Sequence, residues 1–207
     1  MRELDQERAH GARAATDEQP LAGLESQVLL DRLHRRECGQ RLLIRGGTGA
    51  VGSFLIQFAH RAGIAVTATV RSQDAVEVVE RLGAHEVLVA DEPVEVAPAS
   101  FDASIDSVGA GTPEWLYRAV RPRGRVITLQ EAPDAALAEA FDVDAQFFVV
   151  SPDAEHLDRL AALLSDGGIE VAVAQTYPLS EGRAAYADRG RAGRLGKTVL
   201  QVSAPSE

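Results

Sequence analysis

The residues with the clearest chemical potential stand together: Gly47, Thr48, Gly49, Ala50, Val51 and Gly52, in the spacing G-x-G-x-x-G. Glycines so placed let a strand turn sharply into a helix, let backbone approach a pyrophosphate, and let the helix pack close to the strand. Gly47 is expected to make the tight turn, Gly49 the close approach and Gly52 the packing contact. The free amides at the start of the helix then face negative charge. Arg71 follows 19 residues after Gly52, with Ser72 beside it. A carboxylate about 20 residues on is what NAD binding calls for, to hold the ribose hydroxyls. A guanidinium there instead suits a 2′-phosphate, which it grips as a planar fork, and Ser72 can donate a further hydrogen bond. The pattern points to NADPH in preference to NADH.

Other chemistries find less support. His10, His34, His60, His85 and His156 are scattered, and Cys38 is the single cysteine, so no metal-ligand spacing appears and zinc is not expected. Ser53 lies one residue past the last glycine and not in a G-x-S-x-G elbow. Tyr117, Tyr177 and Tyr186 are possible proton donors, but none has a lysine four residues away. Asp106 reads as a satisfied polar group at the mouth of a strand rather than as a general base.

The elements that must position these residues alternate. "RLLI" before the glycine turn reads as a strand and "AVGSFLIQFAHRA" as a helix. "IAVTATV" (64–70), "HEVLVA", "DASIDSV", "RVITL" (125–129) and "AQFFVV" (145–150) complete a set of six strands. "DAVEVVERLG", "PEWLYRAV", "DAALAEAF" and "SPDAEHLDRLAALLSDGG" (151–168) read as helices between or after them, and "LESQVLLDRLHRRE" (24–37) as one before them. Strands alternating with helices imply an α/β Rossmann-type, doubly wound parallel sheet of order 3-2-1-4-5-6. The connection "DEPVEVAPAS" must cross about 14 Å of sheet, which ten extended residues span without a helix.

With 207 residues, 45% of them hydrophobic, the chain can bury a good-sized core. A formal charge of −10 argues against nucleic acid or an anionic membrane as the partner. The polar start lacks an apolar signal core, no apolar run reaches membrane-helix length, and one cysteine fits a reducing cytoplasm.

In the order of its motifs the sequence resembles the zinc-free, zeta-crystallin-like quinone oxidoreductase branch of the medium-chain dehydrogenase/reductase superfamily. The resemblance rests on "PLAGLESQVLLDRL", "GQRLLIRGGTGAVGSFLIQFAHRAGIAVTAT", "LGAHEVLVAD", "FDASIDSVGAGT", "VRPRGRVITL", "QFFVVSPDAEHLDRLAALLSDGGIEVAVAQTYPLSEGRAAY" and "GKTVLQV". Residues 1–19, charged, Ala-rich and without an apolar stripe, are expected to be disordered or loosely helical, and the resemblance implies 20–170 as the dinucleotide-binding domain. Residues 171–207 would be a β-α-β segment normally part of a catalytic barrel. It implies that Ser107, Val108 and Gly109, after Asp106, border the nicotinamide ribose. Leu129 and Gln130, with Phe147 and Phe148, would wall the nicotinamide, and Arg194 and Lys197 would lie near the ribose phosphate.

The resemblance begins after that family's N-terminal GroES-like barrel, so this chain is expected to lack the barrel. The strands "VAVAQTYPL" (171–179) and "KTVLQV" (197–202) are then expected to pair with each other, with the entry segment or with another chain, such as a partner subunit replacing the barrel. The function implied is hydride transfer from NADPH to a small-molecule quinone or activated alkene. The alternative is a shortened relative without redox turnover, serving as a binding module, a scaffold or a cofactor-independent catalyst. Strand 145–150 is apolar, without proline or charge, and is expected to form a homodimer edge to edge.

Overall fold

The computed structural model describes residues 40–90, 94–149, 154–188 and 196–202. The helix expected at 24–37, the start at 1–19 and Arg194 lie outside the described residues.

Strand β1 (Arg41–Arg45) leads through the glycine turn into helix α1 (Ala50–Arg61) and strand β2 (Ala65–Val70). A short 3-10 turn, helix α2 (Val76–Arg81) and strand β3 (Glu86–Val89) follow. Strand β4 (Phe101–Asp106), helix α3 (Glu114–Arg118), strand β5 (Val120–Thr128), helix α4 (Ala135–Ala140) and strand β6 (Asp144–Phe147) complete the sheet. The sheet is six-stranded and wholly parallel, in the order β3-β2-β1-β4-β5-β6. This is the doubly wound α/β architecture expected from the sequence. The residues of the β3–β4 connection that are described, 94–100, contain no helix.

The strands are apolar because both faces are covered. On one face Phe54, Leu55, Ile56 and Phe58 of α1 pack with Val79 of α2 and Ile44, Val66 and Ile105 of the sheet. Helix α5 (Ala154–Ser165) adds Leu160 to that cluster, and Ile169 follows from the turn after it. On the other face α3 and α4 cover Leu43, Phe101, Val120 and Val126. Gln57 of α1 fastens the chain after α5. Its side-chain amide donates to Glu170 O at 3.1 Å, and its carbonyl accepts from Glu170 N at 2.7 Å.

Two expected boundaries move. Strand β5 begins at Val120, five residues before the expected start, because its register with β4 shifts between Phe101 and Ala103 and so accommodates Pro122 and Gly124. Strand β6 stops at Phe147, and the Phe148 N–H donates to Thr128 O at 2.9 Å. Strands β7 (Val173–Pro178) and β8 (Lys197–Gln201) form a separate parallel pair, with helix α6 (Gly182–Ala187) between them in the chain. Among the described residues each pairs with the other, one of the three pairings expected for them.

Candidate functional site

The sheet order places β1 between β2 and β4, so the connections leaving β1 and β4 turn to opposite faces and open a crevice at the carboxyl ends of the strands. The glycine turn lies there. Gly46, not Gly47, takes the left-handed turn, with φ of +95°. A Cβ on Gly46 would also stand 2.7 Å from Val108 Cγ2. Gly47 is buried instead, its N–H donating to Thr69 O at 2.8 Å, and a Cβ there would crowd Ala68 at 3.0 Å. The tight-turn role expected of Gly47 therefore belongs to its neighbour. The doubled glycine of "RGGTG" was the signal available.

Gly52 is fixed by packing: a Cβ would lie 2.1 Å from Gly46 O. Gly49 caps α1 without a side chain, and a Cβ there would meet only Gly46 O, at 3.3 Å. The first-turn amides of α1, such as those of Ala50 and Gly52, have no carbonyl one turn back within the helix. No acidic side chain occupies that turn. Thr48 and Val51 complete the loop. Among the described residues no side chain caps Gly49, the arrangement that a pyrophosphate at a helix start requires.

Arg71 follows β2 directly, is exposed, and makes no ion pair with another described residue. Ser72 caps the next turn, its Oγ accepting from Asp74 N at 3.3 Å, which leaves its hydroxyl proton to donate elsewhere.

The loops after β4 and β5 close the other side. Ser107 Oγ donates to Arg45 O at 2.8 Å, and Leu129 N to Asp106 O at 3.1 Å. Gly109, with φ of +75°, lies so near Gln130 that a Cβ would stand 2.7 Å from the Gln130 Cβ. Gly111 N donates to Glu131 Oε1 at 2.7 Å. The fold thus brings Ser107, Val108, Gly109, Leu129 and Gln130 together beside the glycine turn. Val108 is half exposed and Gln130 exposed.

Phe147 and Phe148 do not share a face, because alternation along the strand sends neighbours to opposite sides. Phe147 is 47% exposed, whereas Phe148 is 5% exposed and belongs to the α1-side core. The expectation that both wall one ligand is corrected accordingly. Lys197 opens β8 and donates its N–H to Ala172 O, within the C-terminal unit.

Asp106, 1% exposed, is fully engaged. It accepts from Arg45 Nη1 at 2.9 Å, Thr112 Oγ1 at 2.8 Å, Val108 N at 2.9 Å and Gly109 N at 3.4 Å. Arg45 was not singled out by spacing, since its partners lie more than 60 residues away. Tyr117 is buried and accepts from Asp134 N at 2.9 Å, and burial pushes its phenol above the usual 10.0. Tyr177 bonds Asp188 in the C-terminal unit, and Tyr186 is exposed there. A cavity of about 510 Å³ opens at the opposite end of the sheet, lined by Arg41, Asp102, Arg121, Arg125 and Asp144 among others. The ion pairs Arg121–Asp102 at 2.7 Å and Arg125–Asp144 at 3.4 Å span it, far from the chemistry of the glycine turn.

The family model described as zinc-binding dehydrogenase matches residues 82–200, more than half of the chain. The chain belongs to that family. Within the medium-chain dehydrogenase/reductase superfamily its likeness is to quinone oxidoreductases. It is 27% identical to the 2-haloacrylate reductase of a Burkholderia species over 87% of this chain and 61% of that protein. It is 26% identical to a Pseudomonas aeruginosa quinone oxidoreductase over 87% of this chain and 62% of that one. A mycobacterial protein solved in complex with NADPH shares the fold, with a TM-score of 0.72 and 24% identity over 88% of this chain and 62% of that one. The chain therefore spans less than two thirds of the length of these relatives. Among the described residues no three His, Cys, Asp or Glu side chains converge as metal ligands. No helix among them is long and apolar enough to cross a membrane.

Proposed function

We propose that the chain binds NADPH across the crevice between β1 and β4 and serves its oxidation by a small-molecule quinone or activated alkene, without zinc. One observation carries the reading. The Gly49 cap of α1 brings no side-chain hydrogen bond to the helix start, beside loops from β4 and β5, at the point where the strand order reverses. Amides and helix dipole together favour a pyrophosphate there. Arg71 and Ser72, at the end of β2, are the groups for a 2′-phosphate, which is why NADPH is preferred to NADH. Ser107, Val108 and Gly109, with Leu129, Gln130 and the exposed Phe147, are the groups for the nicotinamide side, and the resemblance assigns Arg194 and Lys197 to the ribose phosphate.

The cofactor supplies the hydride, this chain's residues orient it, and the polypeptide that covers the crevice shields it from water. The names of the relatives support the substrate class: a haloacrylate is an alkene conjugated to a carboxylate, and a quinone accepts a hydride in the same electronic sense. A further polypeptide covering the crevice and a homodimer formed along β6 belong to this reading, as does a reducing cytoplasm.

A second reading, a cofactor-binding module without turnover, is favoured by Asp106. Its carboxylate, at the mouth of β4, is already taken up by four hydrogen bonds. Titration of the purified chain with NADPH, followed by reduced-nicotinamide fluorescence, tests both readings. Absence of binding at millimolar cofactor overturns both. Binding followed by oxidation with a panel of quinones and enones selects the first, and binding alone selects the second.

A further inference from the structure

The loop after β4 is held in an unusual conformation. Gly109, Ala110 and Gly111 are all left-handed, with φ of +75°, +60° and +87°. Two of them are glycines, for which this is easy. Ala110 has a Cβ and is strained there. Something must hold the run in place.

Arg45 does so from the last position of β1, directly opposite Asp106 in the parallel register. Its Nη1 stands 2.9 Å from Asp106 Oδ2, 3.2 Å from Gly109 O and 3.2 Å from Gly111 O. That nitrogen has two protons for three acceptors, so one bond is shared. The side chain is 21% exposed, so these charge-assisted bonds are partly shielded from water. Asp106 in turn accepts the N–H groups of Val108 and Gly109. Arg45 and Asp106 thus grip the loop from both sides, Arg45 by its carbonyls and Asp106 by its amides.

We propose that Arg45 is a positioning residue that sets the 107–111 loop, and through it the nicotinamide half of the cofactor. The proposal rests on the cofactor reading above and extends it. A doubly wound fold binds a dinucleotide in two halves, the adenosine half over β1 to β3 and the other over β4 to β6. A residue that acts through the β4 loop must affect one half alone. A residue that merely supports the fold must affect both.

The test compares NADPH with 2′,5′-ADP, its adenosine half, on the full chain. Arg45→Met is expected to weaken NADPH by roughly tenfold or more, the scale of one charge-assisted hydrogen bond. Affinity for 2′,5′-ADP, read by calorimetry, should stay within about twofold. In the ligand-free protein the amides of residues 109–111 should exchange faster with solvent. Arg45→Lys keeps a cation against Asp106 but loses the planar fork, and should fall between wild type and Arg45→Met. If Arg45→Met does not fold, Arg45→Lys decides by the same comparison. Parallel weakening of both ligands, or unchanged NADPH affinity, overturns the proposal. A wild-type chain that binds neither ligand overturns the cofactor reading and this inference with it, a pattern distinct from either of those.

Discussion

Replacing Gly52 by alanine should damage the fold, whereas replacing Gly49 by valine should damage only the site. At Gly52 the new methyl would lie 2.1 Å from Gly46 O, 2.9 Å from Gly46 C and 3.1 Å from Gly47 Cα. A carbon and a carbonyl oxygen rest at about 3.3 Å or more, so α1 and the turn must separate by about 1.2 Å. The neighbours are backbone and cannot rotate away. Moving α1 disturbs Phe54, Leu55, Ile56 and Phe58, all buried in the principal core. Overpacking costs typically 1–3 kcal/mol, and a backbone clash belongs at about 3 kcal/mol. In a chain of this size that lowers Tm by roughly 6–12 °C. At Gly49 a Cβ meets a single atom at 3.3 Å, so valine costs stability only as a poor helix cap, about 1 kcal/mol. It does, however, stand where the proposed reading brings the pyrophosphate to the backbone. Urea denaturation should therefore single out Gly52→Ala, and the NADPH titration should single out Gly49→Val. Unchanged stability in Gly52→Ala would refute the packing argument, and wild-type affinity in Gly49→Val would refute the cradle.

Arg71→Ala should weaken NADPH by about 1.5–3 kcal/mol, the scale of a hydrogen bond to a charged group, and leave NADH nearly unchanged; equal losses would remove Arg71 from the phosphate. At the far end of the sheet, burial pushes the Asp102 carboxyl up, but the Arg41 N–H and the Arg121 guanidinium outweigh it and hold the pKa below 3.8. The stability this confers is present above 3.8 and is lost as pH falls through the lower folded value. Asp102→Asn should therefore be less stable than wild type near neutrality, with the gap closing in acid; a gap independent of pH would contradict the assignment. If the β6 edge is a dimer contact, Phe147→Lys should release monomers by light scattering, since Phe147 is exposed. Phe148→Lys would instead insert a charge into the core. A monomeric wild type at micromolar concentration would dismiss the edge altogether.

The strand order was legible because parallel strands buried on both faces appear as unbroken apolar runs, such as "LLI" and "AVTATV", between amphipathic helices. The glycine motif was legible as a motif, but not which glycine turns: Gly46 and Gly47 differ only in what surrounds them in space. Proline and glycine in "VRPRGR" hid the first half of β5, since local propensity carries no information about a register shift in the partner strand. Phe147 and Phe148 were separable in principle by strand alternation, which places adjacent residues on opposite faces. Arg45 and Gln57 were beyond reach. Their meaning comes from carbonyls and amides 61 to 113 residues away in the chain, where no periodicity records them.

The clasp between Gln57 and Glu170 has a kinetic consequence. A side-chain amide there offers the backbone a donor and an acceptor together, as a neighbouring strand would, and it does so from a helix position that is 7% exposed. Glu170 lies in an irregular stretch just before β7, where amide protons ordinarily exchange within moments. Its proton can leave only when the middle of α1 opens or Gln57 lets go. Its lifetime thus reports the motion of the helix that follows the glycine turn, from a residue that belongs to no helix or strand.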